Sequence, residues 1–422
     1  MGLVKRVWNF LFMNFMWLYI ISALATLAGQ FIPVLQIFML ICYIYGALQL
    51  VQIKNINFLD GIILIYSTYA LVSSIGIDYP NHLHFLIHAF IFQVCPLMCY
   101  FIARNNEISL ESVFKRMLVP MVIVMILGLY FYYAEPQWYT AIKWAIIYER
   151  YGNYASQNSI IEQMRLTSIF SSSYYIAFAT FFFSTYLLYA LNFRTLSTSQ
   201  KFLYVVLLVI CVLVIILANH RTTILGFMIS YAYCFLKGTN KSTRKYMVLG
   251  GGVIAIIFIA IVFSSEEYMN YISARFQSVT TEEGYQERLE HTGGEQNLLS
   301  LFGDGYGRHS LRAREYGGWA LIDSQYQKEL GELGIVGFTM FMIILLVTGF
   351  KAINKRYDAG LELCIFLFFI EAFIGASCLA IDSEYSFIFW YVLGKINQKS
   401  INWRKKRNLS VPDKKNMALS AI

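Results

Sequence analysis

The sequence predicts an all-α, polytopic integral membrane protein with about twelve transmembrane helices and a large external loop between spans nine and ten. Three observations predict it. Hydrophobic residues make up 58% of the chain and charged residues only 14%, against roughly 25% charged in a soluble domain. Apolar runs close to the ~20 residues that cross a ~30 Å hydrocarbon layer recur along the chain. These runs do not alternate in polarity as barrel strands do, and in lipid only helices or closed barrels satisfy their backbone.

Lys5 and Arg6 precede a first span over 10–28. Ala23-Leu24-Ala25 resembles a signal-peptide cleavage site, but a second apolar run (33–51) follows at once, so the first is read as an uncleaved span. Further spans are expected over 55–75, 84–103, 115–134, 169–192, 202–219, 222–237, 246–264, 332–350, 361–380 and 385–396. Residues 1–396 then form a single membrane domain with polar external loops over 135–166 and 264–330, and 397–422 form a basic cytoplasmic tail, read as disordered. All seven cysteines lie within apolar runs, so neither a disulfide framework nor a Cys/His metal set is expected.

The net charge of +8 is a topology signal and gives no reason to expect nucleic acid as a partner. With a cytoplasmic N-terminus, the inner loops and ends carry 15 Lys and 8 Arg, and the outer segments 2 Lys and 8 Arg. The bias places both termini inside and both long loops outside. Topogenic charge needs only a cation, whereas arginine offers a planar fork that meets phosphate or carboxylate through two bonds. An outer face poor in lysine and rich in arginine therefore suggests an oxyanion ligand; pairing with the many loop glutamates is the plainer alternative.

Three stretches carry candidate chemistry. Glu162-Gln-Met-Arg165-Leu-Thr-Ser closes the shorter loop, with Thr167 and Ser168 expected to cap the following helix and Arg165 at its positive end, where an anion is favoured. Asn219-His220-Arg221-Thr222-Thr223 is a tight hinge that keeps Arg221 at the membrane surface. In the large loop, Arg288 precedes Gly303, Gly305 and Gly307, which let backbone approach closely or turn sharply, and Asp323 and Tyr326 stand just before span ten. Gly331, Gly334 and Gly337, three apart, read as a ridge packing against a neighbouring helix. Trp138, Tyr139, Tyr306, Tyr316 and Trp319 are candidates for stacking on sugar rings, with an interfacial belt as the commoner role.

In order and spacing, Arg165-Leu-Thr-Ser-Ile-Phe, His220-Arg221-Thr-Thr-Ile-Leu-Gly, Arg288, Phe302-Gly-Asp-Gly-Tyr-Gly and Asp323-Ser-Gln-Tyr-Gln-Lys-Glu-Leu-Gly-Glu-Leu-Gly334 resemble the bacterial O-antigen polymerase and O-antigen ligase superfamily. The resemblance implies a membrane glycosyltransferase of polysaccharide biosynthesis. Such an enzyme acts on glycans carried by undecaprenyl diphosphate at the outer face of the bacterial cytoplasmic (inner) membrane. It implies no metal and no cofactor, with a lipid-linked donor and acceptor and a chain-length regulator as partners. Ligases carry a histidine just ahead of span ten, where this chain has Asp323, a choice more similar to polymerases, although His309 lies fourteen residues upstream.

Departing diphosphate needs its charge stabilised by preorganised cations. Arg165, Arg221 and Arg288 are assigned to it, with Arg288 also in the reacting group. Asp323 is the candidate base for the acceptor hydroxyl, with Glu287, Glu290, His309 and Tyr326 behind it. A ligase of the same fold is the nearest alternative. A twelve-span polysaccharide or lipid flippase is the alternative from another class, and it would show charges buried mid-span.

Overall fold

The computed structural model describes residues 2–30, 32–75, 82–151, 165–237, 252, 300–309, 324–354, 360–375, 379 and 385–410. In chain order its helices are α1 (Gly2–Met13), α2 (Phe15–Leu27), α3 (Val34–Val51), α4 (Phe58–Ile75), α5 (His82–Ala89), a π-helical turn (Phe90–Val94), α6 (Cys95–Leu97), α7 (Cys99–Asn105), α8 (Leu110–Arg116), α9 (Leu118–Ala134), α10 (Gln137–Tyr151), α11 (Ser173–Phe193), α12 (Thr198–Ala218), α13 (Arg221–Lys237), α14 (Gln325–Ile353), α15 (Gly360–Gly375) and α16 (Ser386–Ser410). No strand occurs among the described residues.

Six helical stretches are long and apolar enough to cross a membrane: Val34–Val51, Phe58–Ile75, Phe85–Asn105, Ser173–Phe193, Thr198–Ala218 and Gln325–Ile353. Two bent pairs raise the number to eight, α1 with α2 at 70° and α8 with α9 at 48°. Around the bundle Ile44, Ile65, Val72, Ile126, Met228, Leu346 and Phe350 all stand exposed. A contiguous apolar exterior is what a lipid-facing surface requires and a soluble domain avoids. The architecture is that of a helical membrane protein. Of the remaining expected spans, α13 and α15 are only 17 and 16 residues long, 385–396 falls within α16, and 246–264 lies outside the described residues apart from Gly252.

Local chemistry sets the helix limits. Ser109, Ser172, Ser197 and Ser324 each accept a backbone N–H as N-cap, and Ser197 forms a reciprocal capping box with Gln200. The π turn falls just before Pro96, where the missing N–H and the bulk of the ring disturb an α ladder.

Three expectations change. The loop over 135–166 contains α10, and α16 continues helical through Ser410, beyond the expected tail boundary. Thr167 and Ser168 do not cap α11, because Ser172 does; Thr167 instead meets the Tyr139 hydroxyl at 2.8 Å, and Ser168 donates to the Val124 carbonyl at 2.7 Å.

α16 is the central post. Every residue from Tyr385 to Asn397 is buried, so this helix is enclosed by protein on all sides. Gly394 lets it meet α7: a Cβ there would overlap the Tyr100 carbonyl and the Ala103 methyl. Aromatic side chains fill the rest, with Trp8, Phe12, Phe387 and Tyr391 on one side and Phe178, Phe182, Phe368 and Tyr385 on the other. At one end of the bundle a buried polar knot ties three helices: Arg104 pairs with Asp60, which also accepts from the Tyr100 hydroxyl (2.6 Å) and the Asn397 amide (3.2 Å). Replacing Gly394 by alanine is expected to destabilise the bundle by about 1–3 kcal/mol through overpacking against backbone. Gly61→Ala, where nothing lies within 4 Å, is expected to leave the midpoint in a detergent thermal-unfolding assay unchanged or slightly higher.

Candidate functional site

The opposite end of the bundle gathers the candidate site, and its centre is a break in α14. Gly334 takes φ 64°, ψ −167° inside the helix, a conformation that needs glycine. The break leaves carbonyls and amides without helical partners, and such groups must be satisfied where water is scarce. The segment 300–305 supplies them. Asp304 N–H donates to the Gly331 carbonyl (2.9 Å) and Gly305 N–H to that of Glu332 (2.9 Å). The amides of Ile335 and Val336 donate to the carbonyls of Ser300 (3.0 Å) and Leu301 (3.2 Å), and the Tyr69 hydroxyl reaches the Leu333 carbonyl at 3.0 Å.

Gly303 and Gly334 therefore cross backbone on backbone, and a Cβ on either would overlap the other's main chain. This corrects the reading of Gly331, Gly334 and Gly337 as a helix-packing ridge: at Gly334 the small residue admits a loop.

The fragment ahead of the break, Gln325 to Leu333, carries charges that the sequence reading passed over. Lys328, Glu329 and Glu332 are each fully buried. Glu329 accepts from the Tyr66 hydroxyl and the Gln325 amide, both at 2.7 Å. Glu332 accepts from the His309 backbone N–H at 2.8 Å and lies 3.3 Å from the Lys328 ammonium, which sits 5.3 Å from the centre of the Tyr306 ring. Burial pushes the Tyr306 hydroxyl well above its usual range, with the nearby Glu329 and Glu332 carboxylates adding to the shift. His309 is 2% exposed and its Nε2 lies 3.4 Å from the carboxylate of Asp304, which is half exposed at the rim. The signal was present in the sequence: Lys328 and Glu332, four apart with Glu329 beside them, are three ionisable groups at the start of an apolar helix.

The two described arginine candidates lie at this same end. Leu166 N–H donates to the Leu217 carbonyl at 3.1 Å, joining the residue after Arg165 to the last turn of α12 just before the Arg221 hinge. Ser168 and Asn219 hold the two turns with φ of 57° and 48°, and Lys143 donates to the Arg165 carbonyl at 3.0 Å. His220 packs edge-on against Tyr174 and Phe178, and its Nδ1 meets the Thr222 hydroxyl at 2.7 Å. Arg221 is exposed and Arg165 partly so. α15 bridges this region to the broken helix: Phe368 meets Phe178 edge-on, and the Phe373 carbonyl accepts from Ser324.

Other assignments change. Ser324 caps α14, which begins at Gln325 rather than near 332. Tyr326 is a packing residue, its hydroxyl on the Ile370 carbonyl and its ring against Phe373. Tyr306 and Tyr139 are buried and closed to a sugar, whereas Trp138 is exposed. Arg288, Glu287, Glu290, Asp323, Tyr316 and Trp319 lie outside the described residues. Among the described residues no three His, Cys, Asp or Glu side chains are placed to share a metal ion.

Compared with known proteins, the chain matches no family model and no curated protein.

Replacing Gly334 by valine is expected to expel the 300–305 segment. Tryptic cleavage after Arg308 in detergent-solubilised protein should accelerate about tenfold or more, since a lost latch of roughly 1.4 kcal/mol already changes the open population tenfold.

Proposed function

We propose that the chain is an integral-membrane glycosyltransferase that polymerises oligosaccharide repeat units carried on undecaprenyl diphosphate. On this reading it has about twelve crossings, both termini in the cytoplasm, and its reactive end at the outer face of a bacterial cytoplasmic membrane. The observation that carries the reading is that the Arg165 and Arg221 turns and the buried acid, lysine and histidine set of the broken helix stand at one end of the bundle, linked through α15. Arginine forks at a membrane surface suit a diphosphate that gains charge as the sugar leaves it. Carboxylates and a histidine beside them suit removal of the acceptor's proton. The ordered resemblance to O-antigen polymerases supports the same chemistry, with Arg288 as a diphosphate ligand and Asp323 among the candidate bases.

A second reading has an observation of its own. Lys328, Glu329 and Glu332 are buried within a helix broken at Gly334, and discontinuous helices with internal charge also characterise transporters. On that reading the chain is a polysaccharide or lipid flippase. A ligase of the same fold is the third outcome.

Deleting the gene separates the three. A polymerase defect leaves single-repeat glycolipid at the outer face, a ligase defect leaves long chains on carrier lipid, and a flippase defect leaves the glycolipid on the cytoplasmic face. Arg165→Lys and Arg221→Lys are each expected to lower chain extension about 100-fold, the scale of losing one preorganised donor, with membrane yield unchanged. Long polysaccharide at the wild-type level in both variants overturns the diphosphate assignment. Chelation by EDTA is expected to leave the rate of purified protein unaltered.

A further inference from the structure

The geometry points to Asp304 and His309 as the proton-accepting pair of the transfer reaction, an inference that rests on the glycosyltransferase reading above. Asp304 stands at the rim, half exposed, between Gly303 and Gly305, whose φ values of 75° and 105° turn the chain outward. Its own N–H is fixed to the Gly331 carbonyl at 2.9 Å, so the broken helix sets where the carboxylate stands. Behind it the His309 ring is buried, with Nε2 3.4 Å from Asp304 Oδ2. Both ring nitrogens are buried, and among the described residues neither makes a hydrogen bond, so the 3.4 Å approach to Asp304 is the ring's polar contact. A histidine fastened by its backbone to Glu332, with its ring turned to a rim carboxylate, is placed to exchange a proton there.

The surroundings suit a proton that comes and goes. On its own segment His309 faces Asp304, with Tyr306 and the exposed Arg308 nearby. From α14 it faces Glu332, itself beside Lys328, and beyond Tyr306 lie Glu329 and the Tyr66 hydroxyl of α4. From the π turn after α5 comes Gln93, whose amide is buried without a hydrogen-bond partner 3.4 Å from where a Cβ on Gly307 would stand.

In the step itself the acceptor hydroxyl oxygen bonds to the anomeric carbon as that carbon's bond to phosphate breaks. The bonding pair leaves on the lipid diphosphate, the hydroxyl proton passes to the Asp304 carboxylate, and no electrons change hands otherwise. Asp304 is the catalytic group, and His309 positions it and shares its proton.

The test uses membranes holding the full chain, supplied with lipid-linked oligosaccharide extracted from a strain deleted for the gene, with chain growth read on gels across about pH 5 to 9. Asp304→Asn is expected to lower kcat about 100-fold or more with KM little changed, the scale of losing a general base. His309→Gln is expected to retain growth and lose one limb of the pH profile. Wild-type rates in Asp304→Asn overturn the pair, as does a His309→Gln profile of unchanged shape, which would mark a packing residue. Should Asp304→Asn fail to accumulate in the membrane, Asp304→Glu decides: activity within about tenfold of wild type supports the carboxylate role, and a 100-fold loss overturns it. If the unaltered chain elongates nothing, the glycosyltransferase reading itself falls. If it elongates normally and only the variants disagree, the pair alone falls.

Discussion

The crossing of the Gly303 and Gly334 backbones is the constraint on which the candidate site depends. A helix interrupted in a low-dielectric region exposes peptide groups whose desolvation costs several kcal/mol each if left unpaired. Here Ser300, Leu301, Asp304, Gly305 and Tyr69 satisfy the groups around the break. Two glycines are needed because each occupies the space where the other's Cβ would lie. Break and loop therefore hold each other in place, and neither geometry persists without its partner.

That mutual dependence explains how four ionisable side chains come to lie together in the interior. Lys328, Glu329 and Glu332 ride on the short helical fragment ahead of the break, and His309 comes with the loop. Burying one of these charges alone would be prohibitive, but the set contains its own compensation. Glu329 has two side-chain donors, and Glu332 has a backbone N–H and an ammonium. Such pairs seldom add stability over apolar residues of the same volume, so their presence calls for a role in chemistry or transport. The knot of Asp60, Arg104, Tyr100 and Asn397 at the other end of the bundle makes a useful contrast. There both carboxylate oxygens are engaged and the groups join helices α4, α7 and α16, which is the work of a staple.

How much of this was legible in the sequence depended on range. Helix positions followed from apolar run length, because that signal is local: the expected 33–51 and 222–237 lie within one residue of α3 and α13, and 202–219 within four of α12. Contacts across the sequence were not legible. Arg104 read as a topogenic charge because its partner Asp60 lies 44 residues away. The triplet Gly303, Gly305, Gly307 and the triplet Gly331, Gly334, Gly337 were each noticed, but nothing local says that one crosses the other. The family resemblance points to Asp323, and nothing in it singles out Lys328, Glu329 and Glu332 a few residues on. Three charges opening an apolar helix are improbable on a lipid-facing side, and that argument alone would have placed them inside.

The arginine turns and the broken helix divide the work at this end of the bundle in a way that follows from their surroundings. Arg165 and Arg221 sit on turns held by left-handed residues, Ser168 and Asn219, and tied to each other through the Leu217 carbonyl. Arg221 is exposed and Arg165 partly so, with the Arg165 Nε buried, so a hydrated anion can reach this face. The acids and the histidine of the break are dry, where a proton shift changes the local field most strongly. On the proposed transferase chemistry, an anionic leaving group would be met by the arginine turns and the acceptor's proton by the Asp304 carboxylate, half exposed in front of the buried histidine. The two charges that such a transfer produces would then be held on different elements of the fold, each with its own counter-groups.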